Sequence, residues 1–400
     1  MEGITLTCSD GIELHGQRWR KRKRRRRTVD EEFTVNVDLP YATNCKDHST
    51  PPTTRRLRIL CLHGFLDNCR SHYLLGPNLV THLTDEKNDN NDNADGDEVD
   101  VDVDVVAIDL PGHGWSSHKS RDVPASWLVS DYCYYIAEAV TRLGWTTVGN
   151  ENQTIQQQQQ QQQRPLPRNN DESFVLIGHS FGGAISIEYA ATFPEQVQAL
   201  ILLDAHGPDY DNPDRISARI RNHVLDRYHY NEKTNNAKDD DNNNNKNINN
   251  VVTTKQYSDL RAAVQTRMDT ARFSPGGRQW LSQEAATEMV QRATCFAGDG
   301  TVQFVHDVRL KHSPLLLPTL DHVLACWNNL TCPVYCLYAK DGWPFYPLDI
   351  QRAHDQLSNN NSNTNLVVET FPGSHHFHAD PDTAPRVVEA IVRFLQRQGL

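Results

Sequence analysis

The chain has 400 residues and a mass of 45.5 kDa, with 38% hydrophobic and 23% charged residues, enough apolar material for a sizeable core. Its 40 Lys and Arg stand against 51 Asp and Glu, and the net charge of −11 argues against a dedicated nucleic-acid binder. No run of about 18 apolar residues is present to span a membrane, and the opening MEGITLTCSDGIELHG lacks the basic-then-apolar pattern of a secretory signal. Nine scattered cysteines, none in a CxxC, indicate neither a disulfide framework nor a zinc ribbon and point to a reducing, cytoplasmic setting.

ITLTCSDGIELHGQRW reads as two strands around a Ser-Asp-Gly turn. A basic and polar insert follows over 21–56, and eight consecutive basic residues, Arg20 to Arg27, run across its start. LRILCLHG (57–64) is a buried strand, and 85–104 is a second insert holding ten acids and one lysine. The acidic stretch mimics part of an EF-hand spacing, but Asn91 replaces the first Asp and Asp102 the bidentate Glu, so a solvated loop is expected. VDVVAIDLPGHG (103–114) is a strand and SWLVSDYCYYIAEAVTRLG (126–144) an amphipathic helix.

A Gln-rich insert covers 149–170. SFVLIGHS (173–180) is then a strand, FGGAISIEYAATFP a helix and VQALILLD (197–204) a further buried strand. Polar, helix-compatible sequence fills 212–329, within a cap insertion over 206–329 interrupted by the Asn-rich 231–254. CPVYCLYAKD (332–341) and NLVVETFPG (365–373) are late strands separated by a short insert at 358–365, and APRVVEAIVRFLQRQ (384–398) closes the chain as a helix. The five inserts cannot bury enough apolar surface to offset chain entropy. Setting them aside leaves one α/β domain over 1–400: a mostly parallel, doubly wound sheet with a helical cap.

Gly178-His179-Ser180-Phe181-Gly182 is a G-x-S-x-G between a buried strand and a helix, the context that turns a loose pattern into a nucleophile elbow. A sharp turn there thrusts the Ser180 hydroxyl out of the sheet, and the helix behind it supplies N–H groups for an oxyanion. Phe181 N–H is one expected donor, and Phe65 N–H, from the His63-Gly64-Phe65 loop, the other. Serine needs a base, and the base an orienting acid. Asp341, at the carboxyl end of PVYCLYA, is the preferred acid, with Asp204 at the end of VQALILLD its rival. The base lies in Gly373-Ser374-His375-His376-Phe377-His378: His375 is preferred, then His376, then His378, and the cluster could alternatively bind metal.

These motifs give the chain a recognisable look. LCLHGFLDN (60–68), AIDLPGHGWSSH (107–118), FVLIGHSFGGAISIEYAATFPEQVQALILLD (174–204) and FPGSHHFHADP (371–381) resemble α/β-hydrolase-fold enzymes, and within them the serine hydrolase-like proteins. The resemblance implies Ser180 as nucleophile and a base at His375, with no cofactor or metal required. The expected activity is hydrolysis of an ester, thioester or amide of a small, partly apolar molecule. The contrasting reading is a noncatalytic ligand-binding protein of the same fold. Substrate contacts are expected from the cap, where Trp280, Phe296, Phe304, Leu315–Leu317 and Trp327 offer apolar lining.

Overall fold

A computed structural model describes residues 1–23, 54–85, 100–120, 128–146, 172–239, 255–273, 279–345, 347–360 and 366–400. Its centre is an eight-stranded sheet in the order β1-β2-β4-β3-β5-β6-β10-β11. The strands are β1 (Glu2–Thr7), β2 (Glu13–Lys23), β3 (Thr54–Leu62), β4 (Asp100–Ile108), β5 (Phe174–His179), β6 (Val197–Leu203), β10 (Val334–Asp341) and β11 (Leu366–Ser374). The first two form an antiparallel hairpin closed at Gly11, whose φ of 84° only glycine adopts freely. From β4 to β11 all neighbours run parallel.

Every residue of β5 and β6 is buried, as continuous apolar strands covered on both faces must be. One face packs against helices Val129–Arg142, Phe181–Thr192 and Leu320–Asn328, with Tyr132, Ile136, Tyr189 and Trp327 among the buried side chains. The other is covered by helices Leu75–Asp85 and Ala384–Arg397. In the last of these, Val387, Val388, Ile391 and Leu395 recur at helical spacing and are the residues that sink into the sheet. The doubly wound, mostly parallel sheet expected from the sequence is thus observed.

Two expectations shift. The sequence sets the basic and acidic inserts at 21–56 and 85–104, yet their inner ends are strand. Arg18, Arg20 and Arg22 of β2 run beside Asp102 and Asp104 of β4, while Arg56 and Arg58 of β3 face the same aspartates from the other side. Arg18 and Arg20 each grip an aspartate through two nitrogens, at 2.6–2.7 Å to Asp104 and 2.6–3.0 Å to Asp102. The two aspartates are therefore neutralised within the sheet. Likewise the helix Ile216–Asp239 reaches into the Asn-rich stretch, and Pro347–Asn360 into the insert at 358–365. The remaining parts of these inserts, with 149–170, lie outside the described residues, as does the EF-hand-like spacing up to its last position, Asp102, which is a β4 residue held by Arg20.

The cap is not wholly helical either. Between its helices a small antiparallel sheet forms from β7 (Gln256–Tyr257), β9 (Val302–Phe304) and β8 (Thr294–Phe296). It shares its own small core, including Val264, Ala285, Met289 and Val302, with helices Leu260–Arg272 and Gln283–Ala293. No helix among the described residues is long and apolar enough to cross a membrane.

Candidate active site

Strand β5 ends at His179 and the next helix begins at Phe181, so Ser180 alone makes the turn. Its φ of 51° and ψ of −117° lie where a side chain is strained, by roughly 1–3 kcal/mol. The surroundings enforce it. Ser180 N–H is held by Leu203 O at 3.1 Å, and a Cβ on Gly178 or Gly182 would meet a backbone oxygen at 2.4–2.5 Å. The elbow sits at the centre of the sheet, beyond the carboxyl ends of its strands, where open α/β sheets gather ligands.

Around Ser180 is a cavity of about 480 Å³ between sheet and cap. Phe65, Phe181 and His375 line it with Ser180, and the rings of Phe65 and Phe181 meet edge to face at 6.0 Å. The loop carrying Phe65 is braced from behind by His63. Leu110 N–H donates to His63 Nε2 at 3.0 Å, so the proton is on Nδ1, which donates to Gly64 O at 2.7 Å. Burial holds His63 down to about 3, a neutral imidazole.

His375 Nδ1 lies 2.5 Å from Asp204 Oδ2. The carboxylate can only accept, so this bond puts the imidazole proton on Nδ1 and leaves Nε2 with its lone pair. Asp341 does not occupy the place expected of it; the rival, Asp204, does. The reason is in the loop after β10. Asp204, with a φ of 45°, turns its carboxylate to accept Ala339 N–H at 3.0 Å and Trp343 N–H at 2.8 Å. The Lys-Asp-Gly-Trp loop thus cradles an acid supplied by the neighbouring strand, while Asp341 itself continues β10 in register with Ser374.

Of the three histidines, only His375 meets that acid. His376 Nε2 is 2.9 Å from Asp67 Oδ2, and His378 is buried against the rings of His179 and His72 at 4.2 and 5.3 Å. His179 Nε2 donates to His375 O at 2.9 Å, and His375 N–H donates to Gln279 Oε1 at 2.8 Å. Burial lowers His179, His376 and His378 below the ordinary histidine range. Asp67 is held well below the carboxylate range: burial alone would raise it, but His376 and Arg267 outweigh burial.

Asp67, His179 and His376 bring ligand atoms within 4.8 Å of one another, the sort of grouping that can hold a metal. Here the fit is poor. Arg267 already neutralises Asp67 at 2.6 Å, and the Gly64 backbone fills the gap: a Cβ there would lie 2.9 Å from His179 Nδ1 and 3.0 Å from Asp67 Oδ2. The proposed apolar lining divides similarly. Phe304, Leu316 and Leu317 face the cavity, whereas Trp327 is core, Phe296 is 71% exposed, and Trp280 contributes its carbonyl to Ser374 Oγ.

The model of the alpha/beta hydrolase fold matches residues 58–381. The chain belongs to that family. A probable serine hydrolase of Drosophila melanogaster is 26% identical to this hydrolase-fold chain over 369 residues, 92% of this chain and 88% of the relative. A serine hydrolase-like protein of Danio rerio is 24% identical over 350 residues, covering 85% and 82%. The crystal structure of a hypothetical protein of Pseudomonas aeruginosa PAO1 superposes with a TM-score of 0.64 at 21% identity, covering 99% of this chain and all of that one. Family and relatives together support a hydrolase.

Asp67, Arg267 and Gln279 escaped the sequence reading as site residues. Asp67 carried a signal, since it lies within the HGFLDN block; the two cap residues sit in sequence without pattern.

Proposed function

We propose that the protein is a serine hydrolase, carboxylesterase-like, cleaving an ester, thioester or amide of a small, partly apolar substrate through an acyl-enzyme on Ser180. The observation that carries this reading is a strained Ser180 lining the same cavity as His375, itself hydrogen-bonded to the buried Asp204. His375 Nε2 takes the Ser180 proton as Oγ bonds to the substrate carbonyl carbon. Asp204 keeps the imidazole in that tautomer and stabilises its cationic form. Phe65 and Phe181 N–H groups receive the oxyanion, each worth roughly 2.7–4 kcal/mol in such sites. His375 then passes its proton to the departing alcohol, thiol or amine, and a water activated by the same histidine cleaves the acyl-enzyme.

Phe304, Leu316 and Leu317 favour an apolar acyl or alcohol group. The test is labelling with a fluorophosphonate beside Ser180→Ala and His375→Ala, followed by p-nitrophenyl esters of increasing acyl length. Labelling that disappears in both variants, with a preferred chain length, is the expected outcome. A folded wild type that neither labels nor turns over would instead make this a ligand-binding member of the fold.

A further inference from the structure

The base loop is held from the cap at two separate points. Gln279, only 5% exposed, precedes the cap helix Gln283–Ala293. Its Oε1 accepts His375 N–H at 2.8 Å, and its Nε2 donates to Gly342 O at 2.6 Å. Gly342 is pressed onto the acid, since a Cβ there would lie 2.4 Å from Asp204 Oδ1. One side-chain amide therefore spans the main chain of the base and the cradle of the acid. The next residue joins it, Trp280 O accepting Ser374 Oγ at 2.5 Å.

On the opposite side, Arg267 of the cap helix Leu260–Arg272 donates to Asp67 Oδ1 at 2.6 Å. Asp67 Oδ2 takes His376 Nε2 at 2.9 Å, and Asp67 N–H closes the oxyanion loop onto Gly64 O at 3.1 Å. Between them Leu66 is kept at a φ of 58°, a conformation that needs outside support. Through one carboxylate that is 3% exposed, Arg267 reaches both the oxyanion loop and the residue beside the base.

We propose that Gln279 and Arg267 are positioning residues that assemble the base loop from its two sides, making the cap a working part of the reaction centre as well as a roof over the substrate. The proposal rests on the Ser180–His375–Asp204 reading. Acyl transfer is steep in geometry, and a displacement of about 1 Å can cost about 100-fold in rate. Gln279 is suited to its place because an amide both accepts and donates; a carboxylate could not donate to Gly342 O. Arg267 is suited because a cation is needed to keep Asp67 ionised in a buried site.

The experiment uses the full-length chain with Gln279→Met, Gln279→Glu, Arg267→Gln and Arg267→Lys. It reads kcat and KM separately on p-nitrophenyl butyrate, the fluorophosphonate inactivation rate and the melting temperature. Both Gln279 variants are expected to lower kcat by roughly 10–100-fold with KM within about threefold, and inactivation should slow in parallel. Arg267→Gln should lower kcat by roughly tenfold and Arg267→Lys should recover most of it. A kcat within twofold of wild type in both Gln279→Met and Arg267→Gln, or a loss confined to KM, overturns the proposal. Should one substitution prevent folding, the variants at the other residue carry the test alone. A wild type that does not label, or a Ser180→Ala that still does, overturns the hydrolase reading itself and is distinguishable from either result.

Discussion

Replacing Asp204 by Asn separates the two candidate acids. The carboxylate is 1% exposed and accepts three hydrogen bonds: His375 Nδ1 on Oδ2, Trp343 N–H on Oδ2 and Ala339 N–H on Oδ1. An amide has one acceptor and one donor end, so it cannot satisfy all three. With its NH₂ towards His375, it pins the imidazole in the tautomer whose Nε2 carries a proton and cannot act as base. Turned over, it opposes its NH₂ to Ala339 N–H, leaving a buried donor unpaired at about 1–3 kcal/mol. The imidazolium formed during attack loses its counter-charge in both cases. A loss near 10⁴-fold in kcat is expected, about 5 kcal/mol at 1.36 kcal/mol per decade. The assay is kcat/KM on p-nitrophenyl butyrate with Asp341→Asn measured alongside, which should stay within about threefold of wild type. Equal damage in the two variants, or a fully active Asp204→Asn, would refute the assignment.

Gly342→Ala should reach the same centre sterically, since its Cβ would lie 2.4 Å from Asp204 Oδ1; activity should fall at least tenfold while the melting curve stays cooperative, checked by kinetics and circular dichroism. Phe304→Ala opens the cavity wall and should move the optimal p-nitrophenyl ester towards longer acyl chains, whereas an unchanged profile would place the acyl group elsewhere. Acid should destabilise the fold through neutral buried histidines. Burial holds His63 down to about 3, and His72 and His206 down to about 4. Their unfolded counterparts titrate near about 6.5, so below that pH the unfolded chain binds protons the folded one refuses, and stability falls as pH drops towards 4. These three alone should make unfolding at pH 5 take up roughly two to three protons, measurable by calorimetry in buffers of different ionisation enthalpy.

The elbow was legible because its signal is local: a glycine-flanked serine between a continuous apolar strand and a helix folds in much the same way wherever it occurs. The base was legible almost as well, from a loop after the last strand. The acid was harder, for a reason of topology. Strands β6 and β10 are parallel neighbours, so Asp204 and Asp341 emerge at the same end of the sheet. Which one turns inward depends on the positive φ of Asp204 and on amides from the facing loop, and neither is written in the residue types. Arg267 and Gln279 lay deeper still. Their partners are 200 and 96 residues away, and polar cap sequence has no periodicity that would single them out. At the inner ends of the charged inserts charge does not mean exposure: paired across strands, Asp102 and Asp104 are each only 6% exposed.

That paired edge bears on how the chain can change length. In β4 the valines at 101, 103 and 105 alternate with aspartates, and in β2 arginines at 18, 20 and 22 alternate with Trp19, Lys21 and Lys23. A slip by one residue would reverse every side chain, but a slip by two sets arginine against aspartate and valine towards the helix just as before. The hairpin end, with Leu14 fully buried, still anchors the sheet. Gain or loss of a Val-Asp or Arg-Lys dipeptide at the outer end therefore leaves the pattern of contacts intact. That two-residue period lies at the end of β2 and β4 remote from the loops that carry Ser180 and Asp204.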